Sequence, residues 1–203
     1  MRKVVLSILV SLDGFIARPD RSLDWFLNDA DFEKYCLNML RSVDAILVGR
    51  VTYEMFSEYW PTAGTESAQA PPGEGFTSRE SEQEMARLMN SIPKIVFSRT
   101  LSKTEWGPAS LIKDNLAEAV QRLKEQPGKD LILFAGASIA QTFINLDLFD
   151  EYRLLIHPIV LGKGIPLFAN LNAERELTRT DVKSFGSGVV VVHYARDRTR
   201  VSG

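Results

Sequence analysis

Asp44-Ala-Ile-Leu-Val-Gly-Arg-Val-Thr-Tyr-Glu-Met-Phe56 passes from a continuous apolar run, through a glycine, into an amphipathic segment. The four consecutive apolar residues from Ala45 to Val48 indicate a strand that is buried on both faces of a sheet. Gly49 permits a tight turn or a close backbone approach, and helical spacing follows it. The stretch therefore predicts a strand, a turn and a helix start.

The junction between this strand and helix is a candidate anion site. The first N–H groups of a helix have no intrahelical partner and lie at the positive end of the helix dipole. Arg50 adds a positive charge there, and Thr52 adds a hydroxyl. A cofactor phosphate is the anion that we expect. The alternative is a plain turn with a solvated arginine, because Gly-Arg pairs often follow strands.

A second stretch, Leu131-Ile-Leu-Phe-Ala-Gly-Ala-Ser-Ile-Ala-Gln-Thr-Phe143, repeats this pattern of buried strand, small-residue turn and helix. In open α/β sheets, ligands bind at the carboxyl ends of the strands, where helix N-termini can face them. Two such units therefore predict one ligand held along the carboxyl edge of the sheet.

The remaining sequence extends the alternation and then ends in a hairpin. Apolar spacing predicts further helices at 29–41, 78–90 and 115–124, and strands at 4–10, 93–100, 110–113, 150–158, 174–184 and 188–196. We expect a three-layer α/β/α fold, with a central mixed, mostly parallel sheet that ends in an antiparallel hairpin and with helices on both faces. A single domain over residues 1–203 is the simplest organisation. The Pro- and Gly-rich loop after Trp60 is a mobile lid or a surface insertion without a role.

Composition excludes several classes of function. A formal net charge of -2 and a pI near 5.8 provide no basic surface for nucleic acid. The single cysteine, Cys36, excludes an intrachain disulfide and a multi-cysteine zinc site, and we expect it to be a small buried hydrophobe. No apolar run reaches the ~20 residues that span a bilayer, and the N-terminus reads as a first strand and not as a signal peptide. We therefore expect a cytoplasmic protein that acts on a small molecule, without a metal.

Five stretches carry motifs in a fixed order along nearly the whole chain: Ser11-Leu-Asp-Gly-Phe-Ile-Ala17, Asp44-Ala-Ile-Leu-Val-Gly-Arg-Val-Thr-Tyr53, Phe97-Ser-Arg99, Phe134-Ala-Gly-Ala-Ser138 and Pro158-Ile-Val-Leu-Gly-Lys-Gly-Ile-Pro-Leu-Phe168. Together they resemble the dihydrofolate reductase-like family. They are most similar to the branch that contains the reductase (C-terminal) domain of the bifunctional riboflavin-biosynthesis deaminase-reductase. The zinc-dependent deaminase half is not expected, because its signature cannot be built from one cysteine.

The resemblance implies NADPH as the cofactor. Gly-Arg-x-Thr holds its phosphates in that family, and Ser98 and Arg99 fall where the adenosine 2′-phosphate is recognised, which suits a hydroxyl beside a fixed positive charge. Relatives have Gly-Gly, often as a cis peptide, where this chain has Ala135-Gly136, so the isomer is left open here. The cofactor-binding residues implied are Ile16, Gly49, Arg50, Thr52, Ser98, Arg99, Ala135, Gly136, Ala137 and Ser138.

The resemblance also implies a carboxylate that supplies or relays a proton while hydride leaves the nicotinamide. Dihydrofolate reductases carry it on the helix before the Gly-Arg-x-Thr strand, where Glu33 is nearest and Asp31 lies one helical face away. Asp13 and Asp24 lie on loops at the same edge of the sheet. Each of these carboxylates has the alternative of a helix cap or a surface charge.

Histidines and aromatic residues leave two interpretations open. His157 and His193 lie in predicted strands without a carboxylate nearby in sequence, which favours packing or ordinary hydrogen bonding. The aromatic residues line a flat heteroaromatic pocket or belong to the core; they are Trp25, Phe26, Tyr53 and Trp60.

These observations favour an NADPH-dependent reductase of a small heterocyclic substrate, either pterin-like or a ribosylaminopyrimidine. The alternative is a non-catalytic NADPH-binding or regulatory protein on the same fold. The family resemblance and the apolar segments Ile159 to Leu161 and Ile165 to Phe168 predict a homodimer.

Overall fold

The computed structural model describes residues 1–65 and 75–197, in which strands and helices alternate for most of the length. The strands are β1 (Val4–Ser11), β2 (Phe15–Ala17), β3 (Val43–Gly49), β4 (Lys94–Phe97), β5 (Ala109–Ile112), β6 (Asp130–Phe134), β7 (Glu151–His157), β8 (Ile165–Pro166), β9 (Leu177–Ser184) and β10 (Val190–Arg196). The helices are α1 (Ala30–Arg41), α2 (Arg50–Tyr59), α3 (Arg79–Ser91), α4 (Leu116–Glu125) and α5 (Ala137–Asn145). Residues 66–74, the middle of the loop predicted after Trp60, lie outside the described residues, so the question of a lid stays open.

Eight strands form one sheet in the order β5-β4-β3-β6-β1-β7-β10-β9. The pairs from β5 to β7 are parallel, whereas β10 runs antiparallel to both β7 and β9. The expected mixed, mostly parallel sheet with a closing antiparallel hairpin is therefore confirmed.

The apolar run of β3 is buried because helices cover both faces of the sheet. Ala45 and Leu47 pack into one core cluster with residues of α4 and α5. Ile46 and Val48, which alternate with them, pack into a second cluster with residues of α1, α2 and α3. The period-2 alternation of a strand thus distributes one continuous hydrophobic run between two cores.

Helix α1 confirms the helix predicted at 29–41. The Asp29 carboxylate caps the helix by accepting a hydrogen bond from the Phe32 N–H at 2.8 Å. Phe32 and Leu40 are buried against the sheet, and Cys36 packs beside them. Burial raises the pKa of the Cys36 thiol to about 12, so the thiol stays protonated near neutral pH.

A second, two-stranded sheet was not predicted. β2 pairs antiparallel with β8, which lies inside the 158–168 motif, where no strand was predicted. Gly164 is needed there because a β-carbon would overlap the carbonyl oxygen of Ala17. A two-residue strand that contains proline shows no periodicity, so it had no sequence signal. The pairing places the 158–168 segment beside the end of β1.

Among the helices of the described residues, α3 is the longest at 13 residues, and none is long and apolar enough to cross a membrane.

Lys94, the first residue of β4, carries a charge into the core. Its side chain is almost fully buried, its Nζ donates to the Asn90 carbonyl oxygen at 3.2 Å, and Nζ lies 4.1 Å from the centroid of the Trp106 ring. Within residues 1–65 and 75–197, no carboxylate lies within ion-pair distance of it. Burial therefore lowers the pKa of Lys94 to about 8.

Lys94 should weaken folding at neutral pH and cease to do so at alkaline pH. The native state holds this proton less tightly than the unfolded chain, so the stability lost below pH 8 returns as the pH rises from about 8 to 10.5. We expect Lys94→Met to raise the free energy of unfolding at neutral pH by about 1–2 kcal/mol, after allowance for the lost contact with Trp106. Urea unfolding across this pH range checks it, with Lys94→Arg as the charged control. Parallel pH profiles for the wild type and Lys94→Met would contradict this account.

Candidate functional site

The carboxyl ends of neighbouring parallel strands bring the predicted site segments to one edge of the sheet. In sheet order, β4 ends at Phe97, β3 at Gly49, β6 at Phe134, β1 at Ser11 and β7 at His157. The segments that follow these residues include all five sequence motifs. This is the edge at which open α/β sheets bind ligands.

Two helices with glycine N-caps begin at this edge. The N-cap residues of α2 and α5 are Gly49 and Gly136, and neither helix has an acidic residue in its first turn. By contrast, Asp29 and Ser78 cap α1 and α3, and both of those helices carry acids in their first turns. The first-turn N–H groups of α2 and α5 are therefore free of competing side-chain acceptors, as an anion site requires.

The two glycine turns are neighbours. A β-carbon at Gly49 would lie 3.2 Å from Cγ2 of Ile139 in α5, and one at Gly136 would lie 3.9 Å from the hydroxyl oxygen of Thr52. Both glycines have ordinary negative φ angles, -84° and -76°. Gly49 is thus needed for the close approach of α5 and not for an unusual turn. The Ala135–Gly136 peptide, whose isomer the sequence left open, is trans.

The side chains of these turns differ in their exposure and in the contacts that they already make. Thr52 is buried and Ser138 is exposed, on the first turns of α2 and α5 respectively. Arg50 lies at the predicted place but donates from Nη1 to Glu54 Oε2 at 2.7 Å, one turn along α2. An exposed ion pair of this kind is worth roughly 0–1 kcal/mol, so a phosphate can compete for the guanidinium.

Ser98 and Arg99 follow β4 at the side of the edge near β5. The Ser98 hydroxyl oxygen accepts hydrogen bonds from the N–H groups of Thr100 and Leu101, at 3.2 and 3.0 Å, and so shapes the turn. The Arg99 side chain is 86% exposed, and its Nε is 4.0 Å from Asp114 Oδ1. Arg99 therefore presents an exposed, fixed positive charge.

Glu33 is the most buried of the predicted carboxylates, at 3% exposure in the first turn of α1. Its Oε1 accepts hydrogen bonds from Asn28 Nδ2 and from the Thr77 N–H, and its Oε2 accepts one from the Thr77 hydroxyl, all at 2.6 Å. Asn28 Nδ2 also donates to the Gly75 carbonyl oxygen at 3.0 Å. Glu33 thus fastens residues 75–77 to the start of α1 and keeps one lone-pair position on Oε2.

The two loop carboxylates, Asp13 and Asp24, each bond to groups of the loops around them. Asp13 accepts hydrogen bonds from the Ser11 hydroxyl at 2.7 Å and from the N–H groups of Leu161 and Gly162, which joins the turn after β1 to the loop after β7. The Ser11 bond first, and then these backbone bonds, lower the pKa of Asp13, so it stays ionised. Asp24 pairs with Arg18 Nε at 2.5 Å on a partly exposed loop. Asp31 is exposed on α1.

The remaining candidates divide between site and core. Ile16 is buried in β2, in the core cluster beneath this edge. Tyr53 and Trp60 belong to the second core cluster, between the sheet and α3. His193 contacts the Tyr35 hydroxyl through Nε2 at 2.9 Å, which is the ordinary hydrogen bonding expected of it.

His157 is fully buried at the end of β7 among Trp25, Phe26 and Phe32, with ring-centroid distances of 5.2, 5.4 and 6.2 Å. Its Nδ1 accepts a hydrogen bond from the Leu27 N–H at 3.2 Å. Burial lowers the pKa of His157 to about 4, so the ring is neutral near pH 7. The expected packing of this histidine is present, but its place beside Trp25 at the edge of the sheet was not predicted.

Asn28 and Thr77 also had no sequence signal. Their contacts with Glu33 join α1 to a segment 44 residues further along the chain, and no local pattern reports such a contact.

The chain is similar in sequence and in fold to known proteins. Residues 2–191 match the family model of the RibD C-terminal domain. The chain is 38% identical over 193 residues to the uncharacterized protein YyaP of Bacillus subtilis (strain 168), covering 95% of this chain and 94% of that protein.

Two solved structures are similar in fold. A protein from Shewanella sp. PV-4 assigned to riboflavin biosynthesis aligns with a TM-score of 0.71 and 24% identity, over 97% of this chain and 99% of that one. The diaminohydroxyphosphoribosylaminopyrimidine deaminase/5-amino-6-(5-phosphoribosylamino)uracil reductase of Thermotoga maritima aligns with a TM-score of 0.64 and 18% identity, over 97% of this chain and 57% of that one.

Proposed function

We propose that this chain, which belongs to the RibD C-terminal domain family, is an NADPH-dependent reductase that transfers hydride to a small heterocyclic substrate, either pterin-like or a ribosylaminopyrimidine. One observation carries the proposal: two adjacent helices begin at the carboxyl edge of the sheet with glycine N-caps and no first-turn acid. Such a pair of N-termini suits the two phosphates of a dinucleotide. The name of the Thermotoga maritima protein includes a reductase of this substrate class, which supports the choice of reaction.

The residues present fit the cofactor. The N–H groups after Gly49 and Gly136 would hold the pyrophosphate, with Thr52, Ala137 and Ser138 on the same first turns. Arg50 would exchange Glu54 for a phosphate oxygen. Arg99, with Ser98 shaping its turn, would recognise the 2′-phosphate. Ala135 and Ile16 would complete the surface against which the cofactor lies.

The bound cofactor would supply the hydride, and the chain would position the substrate and move a proton. Glu33 is our first candidate for the proton relay, because it is buried at the start of α1 and keeps a lone-pair position on Oε2. Asp13 and Asp24 are the alternatives at the same edge. The three hydrogen bonds on Glu33 also favour a second candidate function, a non-catalytic NADPH-binding or regulatory protein in which Glu33 is purely structural.

Cofactor preference tests the anion site. NADPH should raise the melting temperature clearly more than NADH at equal concentration, because only NADPH offers a 2′-phosphate to Arg99. Arg99→Ala should remove most of this difference by weakening NADPH roughly 10- to 100-fold, as expected for a charge-assisted hydrogen bond worth about 1.5–3 kcal/mol. Arg122→Ala is the matched control, since Arg122 is similarly exposed and lies 3.8 Å from Glu118. Equal shifts with the two cofactors would refute the assignment of Arg99.

Glu33→Gln tests the proton relay. The amide keeps the shape of the side chain and an oxygen that can accept from Asn28 and Thr77, so the fold should persist. Turnover, followed as NADPH oxidation with a panel of dihydropterins and aminopyrimidinones, should fall at least ~100-fold, with NADPH affinity nearly unchanged.

Asp31→Asn, on the same helical turn but exposed, is the control for Glu33→Gln. Loss of activity in Asp13→Asn or Asp24→Asn, with Glu33→Gln still active, would move the relay to that loop. Absence of NADPH oxidation with every substrate, despite NADPH binding, would favour the non-catalytic alternative.

We also propose a cytoplasmic homodimer. In the apolar segments predicted as an interface, Val160 and Phe168 are 66% and 47% exposed. Leu171, on the loop of Phe168, and Leu12, whose N–H donates to the Ile159 carbonyl oxygen at 2.8 Å, are also exposed. Such exposed apolar side chains are typical of surfaces that bind a partner.

Light scattering at micromolar concentration should give a mass near twice 22.8 kDa. The double variant Val160→Lys, Phe168→Lys should shift the protein to the monomer, because two charges would be buried in the contact. Met55→Lys, at an equally exposed apolar position on α2, should leave the mass unchanged. A wild-type mass of about 23 kDa would overturn the dimer.

A further inference from the structure

A cavity of about 400 Å³ lies at the amino-terminal edge of the sheet, opposite the edge of the candidate cofactor site. It opens where β3, β4 and β5 begin, and Leu123 and Gln126, at the end of α4, line its side. Its volume falls within the roughly 300–1,000 Å³ that is usual for small-molecule sites. Among the described residues that line it, none belongs to the predicted cofactor or catalytic set, so it is a separate site.

The floor of this cavity is mostly apolar. Ile95 of β4 pairs with Ser110 of β5, so both side chains lie on the same face of the sheet. Ala45 of β3 and Ile95 belong to the core cluster beneath α4. The side chain of Lys94 lies on the other face, against Trp106, and does not bring its charge into the cavity.

Arg2 brings a buried positive charge to the cavity. Its side chain is only 8% exposed, and its Nε donates to the Lys129 carbonyl oxygen at 2.5 Å. Within residues 1–65 and 75–197, neither of its terminal nitrogens, Nη1 and Nη2, donates a hydrogen bond. These two nitrogens carry four of the five N–H groups of a guanidinium. The buried guanidinium therefore has donors left for a ligand.

Asp44 places a negative charge beside Arg2. Its Oδ2 accepts a hydrogen bond from the Lys129 N–H at 2.6 Å and lies 3.7 Å from Arg2 Nη2, beyond hydrogen-bond distance. Gly128 permits this arrangement, because a β-carbon there would overlap Asp44 Oδ2 and lie 3.6 Å from Arg2 Cζ. Asp44 Oδ1 accepts no hydrogen bond from the part of the chain that the structure describes. The Asp44 side chain is 40% exposed, so the pair can be reached from solvent.

The two charges together select the class of ligand. A simple carboxylate would bond to Arg2 but place its own charge beside Asp44, and a simple amine would oppose Arg2 in the same way. In an α-amino acid, the ammonium nitrogen and the carboxylate oxygens are held roughly 3 Å apart. This separation suits two charged groups that lie 3.7 Å apart. An apolar side chain on the same molecule would cover the floor of the cavity.

We propose that this cavity binds a free α-amino acid with an apolar side chain. Its carboxylate accepts hydrogen bonds from Nη1 and Nη2 of Arg2, and its ammonium group donates to Oδ1 of Asp44. Its side chain lies against Ala45, Ile95 and Leu123, which line the cavity. The site does not depend on the proposed reductase function, because it lies at the opposite ends of the strands.

Calorimetric titration of the wild-type protein with L-leucine, 4-methylpentanoate and L-leucinamide tests the proposal. The second compound lacks the ammonium group, and the third lacks the carboxylate charge. Leucine should bind at least ~10-fold more tightly than either, because each of the others loses charge-assisted hydrogen bonds. Its affinity should be the same with and without NADPH. This series needs no variant, so it stands even if a variant does not fold.

Two conservative variants assign the charges to their residues. Arg2→Gln keeps a donor for the Lys129 carbonyl oxygen, and it should reduce the preference for leucine over leucinamide towards one. Asp44→Asn keeps an acceptor for the Lys129 N–H, and it should reduce the preference for leucine over 4-methylpentanoate towards one. Lys3→Gln is the matched control, because Lys3 follows Arg2 but is 59% exposed and lies 3.9 Å from Glu151, and it should keep both preferences.

Four results would overturn the proposal. Equal binding of 4-methylpentanoate and leucine would indicate a site for anions only, and equal binding of leucinamide and leucine would indicate a site for cations only. Absence of leucine binding would give Arg2 and Asp44 a purely structural role. Competition between leucine and NADPH would place the bound leucine at the cofactor edge and not in this cavity.

Discussion

The unpaired N–H groups at the first turns of α2 and α5 are the constraint on which the proposed site depends. The first N–H groups of every helix have no hydrogen-bond partner within the helix. In α1 and α3, side-chain caps accept hydrogen bonds from such groups. In α2 and α5, the N-cap is glycine and no such cap exists. Because the strands that precede these helices, β3 and β6, are adjacent and parallel, both sets of N–H groups reach the same edge of the sheet.

Side chain-to-backbone hydrogen bonds hold the loops around this edge. Asp13 joins the turn after β1 to Leu161 and Gly162, and Asp29 both caps α1 and accepts from the Ser187 N–H at 2.6 Å. Glu33 accepts a hydrogen bond from the Thr77 N–H and so joins the start of α1 to residues 75–77. These carboxylates each link segments far apart in sequence, so the loops are positioned by a few charge-assisted bonds and not by a continuous core.

The sheet and helices were largely predictable because their signals are local. The apolar run of β3, the helical spacing of α1 and the small residues after β6 all appear within one element. The β2–β8 pair, the Glu33–Thr77 contacts and the place of His157 against Trp25 were not predictable, since each depends on a long-range contact. The motif order predicted that the cofactor candidates share one edge of the sheet, as the strand order shows, but it did not reveal that Arg50 pairs with Glu54 one turn away.

The most direct test of the central claim is a crystal structure of the protein grown with NADP⁺. We expect the pyrophosphate between the N-termini of α2 and α5, with its oxygens accepting from the N–H groups that follow Gly49 and Gly136, and the 2′-phosphate beside Arg99. Dinucleotide bound at any other edge or face of the sheet, with these N–H groups left to solvent, would contradict the account.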